Sequence, residues 1–289
     1  MRLDEHGDAR AFLAAAAPVL AADEARHNLM YGICSTLIDA PEVYREAHLW
    51  TVVDGDDVVA AALMTPPFNL VVAQPLDAEA LPFAARTLHE QGVELPGVSG
   101  AIPEVDAFAS TWAELLGTKK QVRMRQGVYA ARSARIPADV PGVPRPAHTD
   151  DRELLVGWLH AFQVEAFHED TPHVDLEQIV ERRLTAATAG FVLWEDESRP
   201  VSLCGFGNPT PSGIRIGPVY TPPELRRRGY AGALTAHVTQ QQLERGRDYC
   251  FLYTDLANPT SNRIYMNVGY ELVCEALDYG FNAPQIAGA

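Results

Sequence analysis

The sequence predicts an α/β (α+β) fold of two similar domains, each a mixed, mostly antiparallel sheet flanked by helices. Three observations predict it. Helical and strand-like hydrophobic periods alternate along the chain. The order of two helices, a meander of three strands, and then alternating helices and strands occurs twice. Between the copies lies the proline-rich stretch 134–151, where fixed φ angles and missing N–H donors interrupt helices and central strands.

The first copy is expected to form a domain at residues 1–135. Apolar residues three and four apart indicate its helices, and runs rich in β-branched residues indicate its strands. Asp54, Gly55 and Asp56 form a hairpin turn signal between two of these strands. The predicted helices are 11–20, 27–39, 77–92 and 105–117, and the predicted strands are 49–55, 57–64, 68–74, 97–102 and 120–131.

The second copy is expected at residues 149–289, after a linker at 136–148. The same periods predict helices at 151–167, 175–188, 229–246 and 259–269, and strands at 190–196, 200–207, 214–221, 249–255, 270–276 and 278–282. Before its long third helix this copy has "PPELRRRGYAG", whereas the first copy has "QPLDAEALPFAA" with neither a glycine nor a basic cluster. Any function of this loop is therefore expected in the second copy alone.

Composition excludes several classes of protein. A net charge of −15 argues against nucleic-acid or anionic-membrane partners, which need a positive field, and weakly favours a cationic substrate. The four cysteines form no CxxC pair, so neither a zinc knuckle nor a disulfide framework is predicted. No apolar run approaches the roughly 20 residues of a membrane span. These features predict a cytoplasmic protein, and they leave its oligomeric state open.

The loop "PPELRRRGYAGAL", residues 222–234, predicts an anion site. A glycine that opens a helix leaves unpaired N–H groups at a positive dipole end, where phosphate oxygens bind. Arg226, Arg227 and Arg228 can add charge-assisted contacts. The alternative is a solvated basic face. Because the Walker and dinucleotide patterns are both absent, the expected ligand is a pyrophosphate or phosphate ester in another setting.

Two segments of the second copy resemble one family. Residues Arg226 to Ala231 resemble the R/Q-x-x-G-x-G/A signature of the GNAT superfamily of acetyl-CoA-dependent N-acetyltransferases. About thirty residues later, "NPTSNRIYMNVGYEL" resembles the family's N-x-x-(S/A)-x-x-x-Y helix with a following G-F/Y pair. The resemblance covers residues 148–282. The first copy resembles the family only in the order of its elements and looks like a degenerate second copy.

The resemblance implies acetyl-CoA as co-substrate, no metal, and a set of contacting residues. Strand backbone would donate to the thioester carbonyl, loop amides would hold the pyrophosphate, and later side chains would lie along the pantetheine and the CoA tail. The implied cofactor-binding residues are Val219, Tyr220, Thr221, Arg226, Arg227, Arg228, Gly229, Tyr230, Ala231, Gly232, Asn258, Ser261, Asn262 and Tyr265. Tyr265 is also the implied general acid. The alternatives are a packed aromatic for Tyr265 and a helix cap for Asn258.

The general base is expected in "QVEAFHED". Glu165 is the first choice, because its spacing from Trp158 and Phe162 places a carboxylate on an apolar helical face that must border a cavity. His168 is the second choice, since its ordinary pKa suits a base near neutral pH. The HxxxxH pattern of His168 and His173, with Glu169 and Asp170 beside it, fits no metal signature.

Together these features predict an enzyme that moves acetyl from acetyl-CoA to a primary amine of a small molecule by direct attack. The alternative is a CoA-binding regulatory or interaction module whose catalysis has decayed. The sequence does not predict the identity of the acceptor.

Overall fold

The structure is a computed structural model that describes residues 1–166 and 174–281. The chain divides into two compact units. The first contains Met1–Val128, Asp255–Ala257 and the chain from Val273, and the second contains Tyr129–Thr254 and Asn258–Leu272. None of the helices in the described ranges is long and apolar enough to cross a membrane.

The elements of the first copy follow the predicted order after one additional strand. They are β1 (Arg2–Glu5), α1 (Ala9–Leu20), α2 (Asn28–Asp39), β2 (His48–Asp54), β3 (Asp57–Met64), β4 (Leu70–Val72), α3 (Ala80–Glu90), β5 (Val98–Ala101), α4 (Glu104–Leu115) and β6 (Lys120–Ala131). The predicted hairpin is confirmed: Asp54 pairs with Asp57, and Gly55 has a φ of 61° in the left-handed region that the tight turn requires.

The second copy repeats this order element for element. It consists of β7 (Val143–Pro146), α5 (Arg152–Ala166), α6 (Leu176–Thr185), β8 (Gly190–Asp196), β9 (Arg199–Gly207), β10 (Gly213–Tyr220), α7 (Tyr230–Glu244), β11 (Tyr249–Asp255), α8 (Pro259–Val268) and β12 (Glu271–Phe281). The predicted fold class is confirmed.

In the first unit, strands are ordered β1-β2-β3-β4-β5-β12, with β4 and β5 parallel and the other neighbours antiparallel. Helices α3 and α4 pack through Leu88 and Trp112 in one apolar cluster. Helices α1 and α2 pack through Phe12 and Met30 in a second cluster. Each cluster includes residues of the strands, so both helix pairs bury apolar side chains against the sheet.

In the second unit, strands are ordered β11-β10-β9-β8-β7, with β10 and β11 parallel and the others antiparallel. Helices α7 and α8 pack on the sheet through Leu234 and Val268. Helices α5 and α6 pack through Leu159 and Val180 in a separate cluster. The unit is therefore a sheet between two helix pairs: α7 and α8 cover one face, and α5 and α6 cover the other.

The structure differs from the sequence-based elements in three places. Strand β1 was not predicted, and β7 lies inside the predicted linker; it pairs only at the sheet edge with β8, where the prolines of "VPRP" lose no ladder hydrogen bond. The final two predicted strands are one strand, β12, since Leu277, which lies between them, pairs with Gly100.

The division into units also differs from the predicted boundaries. Residues 129–148 belong to the second unit, and β12 from Val273 onward belongs to the first. The reason is long-range pairing: Ala276 to Tyr279 of β12 pair with Ala101 to Val98 of β5.

Candidate active site

The second unit contains a cavity of about 870 Å³. Glu165 and thirteen of the fourteen predicted cofactor residues line it. These are Val219, Tyr220, Thr221, Arg226, Arg227, Arg228, Gly229, Tyr230, Ala231, Gly232, Asn258, Ser261 and Tyr265. Residues from three separate parts of the chain, at 165, 219–232 and 258–265, thus meet around one space, as the resemblance implies for a single ligand.

The N-terminus of α7 forms one wall of the cavity. Gly229 is the N-cap, with a φ of 87° in the left-handed region, and it offers no side chain to the helix. The first turn contains no acidic residue, and the first intrahelical bond runs from the amide of Ala233 to the carbonyl of Gly229. The amides of Tyr230, Ala231 and Gly232 precede that bond. The dipole and the N–H donors of such a helix start favour an anion, and the predicted anion site stays a prediction.

The proline-rich stretch 134–151 packs against this helix start. A Cβ at Gly229 would lie 2.9 Å from Cγ2 of Val140. Arg135 donates from Nε and Nη2 to the carbonyls of Asn267 and Met266 at 2.9 and 2.6 Å, at the end of α8. Sequence reasoning assigned this segment to a linker. Because the partners of Arg135 lie more than a hundred residues away and Gly229 is also distant from Val140 in the chain, no local pattern would have revealed these contacts.

The three consecutive arginines have different environments. Arg226 donates from Nη2 to both carboxylate oxygens of Glu165, at 2.9 and 2.6 Å, and from Nε to the carbonyl of Thr221 at 2.8 Å. Arg227 and Arg228 are exposed. The predicted cofactor contact by Arg226 therefore competes with an ion pair inside the unit, whereas the other two side chains are available to a ligand.

The end of β10 forms the floor of the cavity. The paired residues of β10 and β11 run from Gly213 and Tyr249 to Arg215 and Phe251, after which β10 shifts its register with β9 between Ile216 and Val219. The last residues of β10 border the cavity. The backbone carbonyl of Tyr220, one of these residues, accepts a hydrogen bond from the hydroxyl of Ser202 at 3.1 Å. The bulge redirects the strand end toward the cavity, as bulges commonly do beside functional sites.

The expected base, Glu165, borders the cavity, but its carboxylate is already in an ion pair with Arg226. Besides the Arg226 pair, its Oε1 lies 3.5 Å from the hydroxyl of Tyr220. Burial, and then the charge of Glu165, raises the pKa of Tyr220. The alternatives His168, Glu169, Asp170 and His173 lie outside the described residues. Within the described ranges no group of three or more His, Cys, Asp or Glu side chains is arranged to hold a metal ion.

Helix α8 carries the expected acid. Tyr265 borders the cavity and packs edge-on against Tyr270, with ring centroids 6.2 Å apart. Burial raises the pKa of the Tyr265 phenol, which keeps its proton at neutral pH. The phenol is thus a proton donor in the state that a general acid needs.

The polar residues at the start of α8 have separate roles. Asn258 caps the helix, since its Oδ1 accepts from the amide of Ser261 at 3.1 Å, and it also borders the cavity. The helix cap is therefore present, and contact with a ligand stays a prediction for this residue. Asn262 is the exception among the predicted residues. Its Oδ1 accepts from the hydroxyl of Thr254 at 2.9 Å, and it is not in the cavity wall.

The corresponding helix start of the first copy, at α3, differs in charge. The amide of Glu79, its N-cap, donates to Oδ1 of Asp77 at 2.8 Å. Asp77 and Glu79 thus place negative charge near the positive end of this helix, where it disfavours an anionic ligand. This agrees with the sequence-based confinement of the loop to the second copy.

Comparisons with known proteins match this geometry. The family profile described as FR47-like protein matches residues 198–277. No curated protein sequence matches the chain significantly. Solved structures do: a GCN5-related N-acetyltransferase from Kribbella flavida has a TM-score of 0.59 at 19% identity, with 89% of this chain and 97% of that chain covered.

Two further solved structures cover nearly the whole length. A GNAT-family acetyltransferase from Colwellia psychrerythraea has a TM-score of 0.60 at 10% identity, with 98% of this chain and all of that chain covered (100%). A tandem GNAT protein from the clavulanic acid biosynthesis pathway has a TM-score of 0.59 at 10% identity, with 96% and 98% covered. Identities this low establish the fold alone. With the repeated element order, they show that this chain has the tandem fold of the GNAT superfamily.

Proposed function

We propose that the second unit moves the acetyl group of acetyl-CoA to a primary amine of a small molecule by direct attack. One observation carries the proposal: a single cavity is bordered by an uncapped helix N-terminus, by the end of β10 beyond its last pair with β11, and by a protonated phenol. The tandem GNAT fold supports acyl transfer in general. A cytoplasmic location stays a prediction from the sequence.

The residues present suit the phosphates and the thioester of such a co-substrate. The amides of Arg227 to Gly232, with the exposed Arg227 and Arg228 side chains, would hold the pyrophosphate. The backbone of Val219 to Thr221 would donate to the carbonyl of the acetyl donor. Acetyl-CoA, when bound, supplies the acetyl group and a thiolate leaving group.

Two side chains of the second unit would then transfer the protons of the reaction. Tyr265 would donate its phenol proton to the leaving sulfur, which its raised pKa permits at neutral pH. Glu165 stays the first candidate to accept the proton of the amine. Because its carboxylate is held by Arg226, base action requires the guanidinium to move or a water to relay the proton.

Two measurements on the full chain test the proposal. Acetyl-CoA should raise the melting temperature, since a ligand that binds only the folded state stabilises it. A panel of primary amines should then release free thiol and yield acetylated amine by mass spectrometry. Thiol release without acetylated amine would contradict the assignment, because simple hydrolysis of acetyl-CoA produces the same thiol.

The ion pair of Glu165 with Arg226 favours a second candidate, a CoA-binding module with decayed catalysis, because it occupies the expected base. This candidate predicts the same rise in melting temperature but no acetylated product with any amine. Breaking the pair separates the two. In Arg226→Met an enzyme should change its turnover, and a binding module should remain inactive.

A further inference from the structure

A cluster of arginines lies on the face of the second sheet that α5 and α6 cover. Arg183 of α6 donates from Nη1 to the carbonyl of Gly217 at 3.0 Å, and its guanidinium lies 5.2 Å from the ring centroid of Phe191. A Cβ at Gly205 would lie 2.7 Å from the same nitrogen. The guanidinium therefore rests directly on the backbone of β9 and β10, and the missing side chain of Gly205 leaves room for it.

Arg215 extends this cluster along β10. Its neighbours Ile214 and Ile216 belong to the apolar cluster under α7 and α8, so strand alternation points Arg215 to the α5 and α6 face. Its guanidinium lies 4.7 Å from the ring centroid of Tyr253 on β11. Arg215 is also the last residue of β10 that pairs with β11 before the strands separate.

The cationic charge of Arg183 is poorly compensated. Although the residue as a whole is partly exposed, burial of the guanidinium, followed by the charges of Arg182 and Arg215, lowers its pKa to about 10. None of the ion pairs between described residues involves Arg183. A desolvated guanidinium that forms no ion pair among the described residues, as Arg183 does here, is unfavourable unless an anion compensates its charge.

The position of the cluster connects it with the candidate active site. Gly217 lies two residues before Val219, which borders the cavity. At the rise of an extended strand this is a distance of roughly 7 Å along β10. If the amine of a small acceptor lies at the end of β10, a second group of the acceptor, a few bonds from that amine, would reach the guanidinium of Arg183.

We propose that Arg183, with Arg215 beside it, binds a carboxylate of the acceptor, so that the substrate is an amine of the amino-acid class. This inference rests on the proposed acetyl transfer at the neighbouring cavity. It refines the expectation from net charge: the overall field favours cations, whereas the local charge beside the strand end favours an anionic group. Arg is the side chain suited to this task, because its planar fork binds carboxylates through two hydrogen bonds.

The first test compares matched acceptors on the wild-type chain. Each pair consists of an amino acid and the amine or amide that lacks its carboxylate, such as lysine with cadaverine and ornithine with putrescine. The expected result is a kcat/KM about 10- to 100-fold higher for the carboxylate member, the range of a charge-assisted hydrogen bond or two. Equal values within the pairs, or a preference for the amines without a carboxylate, would overturn the proposal.

The second test assigns the preference to Arg183. Arg183→Met keeps the length of the side chain and should remove most of the preference, with the affinity for CoA unchanged. Arg183→Lys should keep part of it, and Arg182→Met, one residue away on the same helix, is the matched control. If Arg183→Met slows both members of each pair equally, the residue only supports the bulge at Gly217, and the proposal fails.

A binding measurement separates this inference from the proposed function. Calorimetry with N-acetyl-lysine, and with N-acetylcadaverine as its partner without a carboxylate, requires no turnover. If the first binds to the wild type and not to Arg183→Met, while no amine is ever acetylated, the carboxylate site stands and the enzyme assignment fails. If amines are acetylated but neither ligand distinguishes wild type from variant, the enzyme assignment stands and the carboxylate site is overturned.

Discussion

The most direct test of the anion site is Gly229→Ala, with Gly246→Ala as its matched control. The two glycines flank the same helix, α7, and have nearly the same φ, 87° and 90°. An L-residue in this region costs about 1–2 kcal/mol, so both variants pay this conformational cost. They differ in surroundings: a Cβ at Gly246 meets nothing within 4 Å, whereas a Cβ at Gly229 lies 2.9 Å from Val140 Cγ2 in the cavity wall.

The expected magnitudes follow from these differences. Without ligand, both variants should melt lower by about 2–4 °C for each kcal/mol lost, the sensitivity of a chain somewhat smaller than this one. Gly229→Ala should lose slightly more, since Val140 must move. The shift at the N-cap should also displace amides from the anion, and losing one or two hydrogen bonds to a charged group weakens CoA binding about 10- to 100-fold. Gly246→Ala should bind CoA like the wild type.

Calorimetry with CoA, and melting curves with and without CoA, measure both effects. At a CoA concentration of 100 times the wild-type Kd, the ligand stabilises the wild type by about 2.7 kcal/mol, and this stabilisation should survive in Gly246→Ala and fall sharply in Gly229→Ala. The reasoning is refuted if Gly229→Ala keeps the full stabilisation. It is equally refuted if Gly246→Ala loses the stabilisation too, because the helix start would then have no special part in binding.

Three further predictions concern single side chains. Tyr265→Phe should lower turnover about 10²- to 10⁴-fold with CoA affinity nearly kept, because it removes the buried phenol proton but retains the ring. Burial lowers the pKa of His27, whose Nε2 accepts from the amide of Gln74 at 3.0 Å, so the stability that it contributes should be present above about pH 6.5 and lost as the pH falls through the lower folded-state pKa. Asn258→Ala should destabilise the second unit by about 1 kcal/mol through the lost cap of Ser261, and Asn258→Ser should restore most of it.

Each of these has a measurement and an opposing result. Stopped-flow thiol release and CoA calorimetry test Tyr265→Phe, and unchanged turnover would remove the phenol from the reaction. Melting temperatures from pH 5 to 7.5, compared between His27→Gln and the exposed control His160→Gln, test the histidine; a wild type that is equally stable throughout contradicts the expectation. For Asn258, chemical denaturation decides, and an Asn258→Ala variant as stable as the wild type would exclude the cap.

Local patterns in the sequence were sufficient for the element order and the helix start at Gly229. Periodicity and turn residues depend on neighbours within a few positions, so the hairpin at Gly55 and the αL glycine before α7 could be predicted without tertiary information. The weak points were short edge strands. Strand β7 contains two prolines and only four residues, and only its pairing with β8 makes it a strand.

The contact partners of individual side chains could not be predicted from local patterns. The sequence placed Glu165 on the cavity side but could not show that Arg226, 61 residues later, occupies its carboxylate. Likewise Arg135 was assigned to the first copy and Val140 to the linker, although the folded chain places both in the cavity wall. Such contacts depend on which loops meet in space, and that is set by the packing of whole elements.

What the sequence by itself determined is the fold class, the duplication and the residue types of one cofactor-like site, because these depend on periodicity, order and short-range chemistry. Only the tertiary structure decided which of those side chains meet. It joined Asn262 to Thr254 rather than to the cavity, paired β12 with β5, and set Arg183 on β10 beside Arg215. The physical reason is that burial and ion pairing are properties of three-dimensional neighbours, and contacts between residues of different helices and strands leave no periodic trace in the chain.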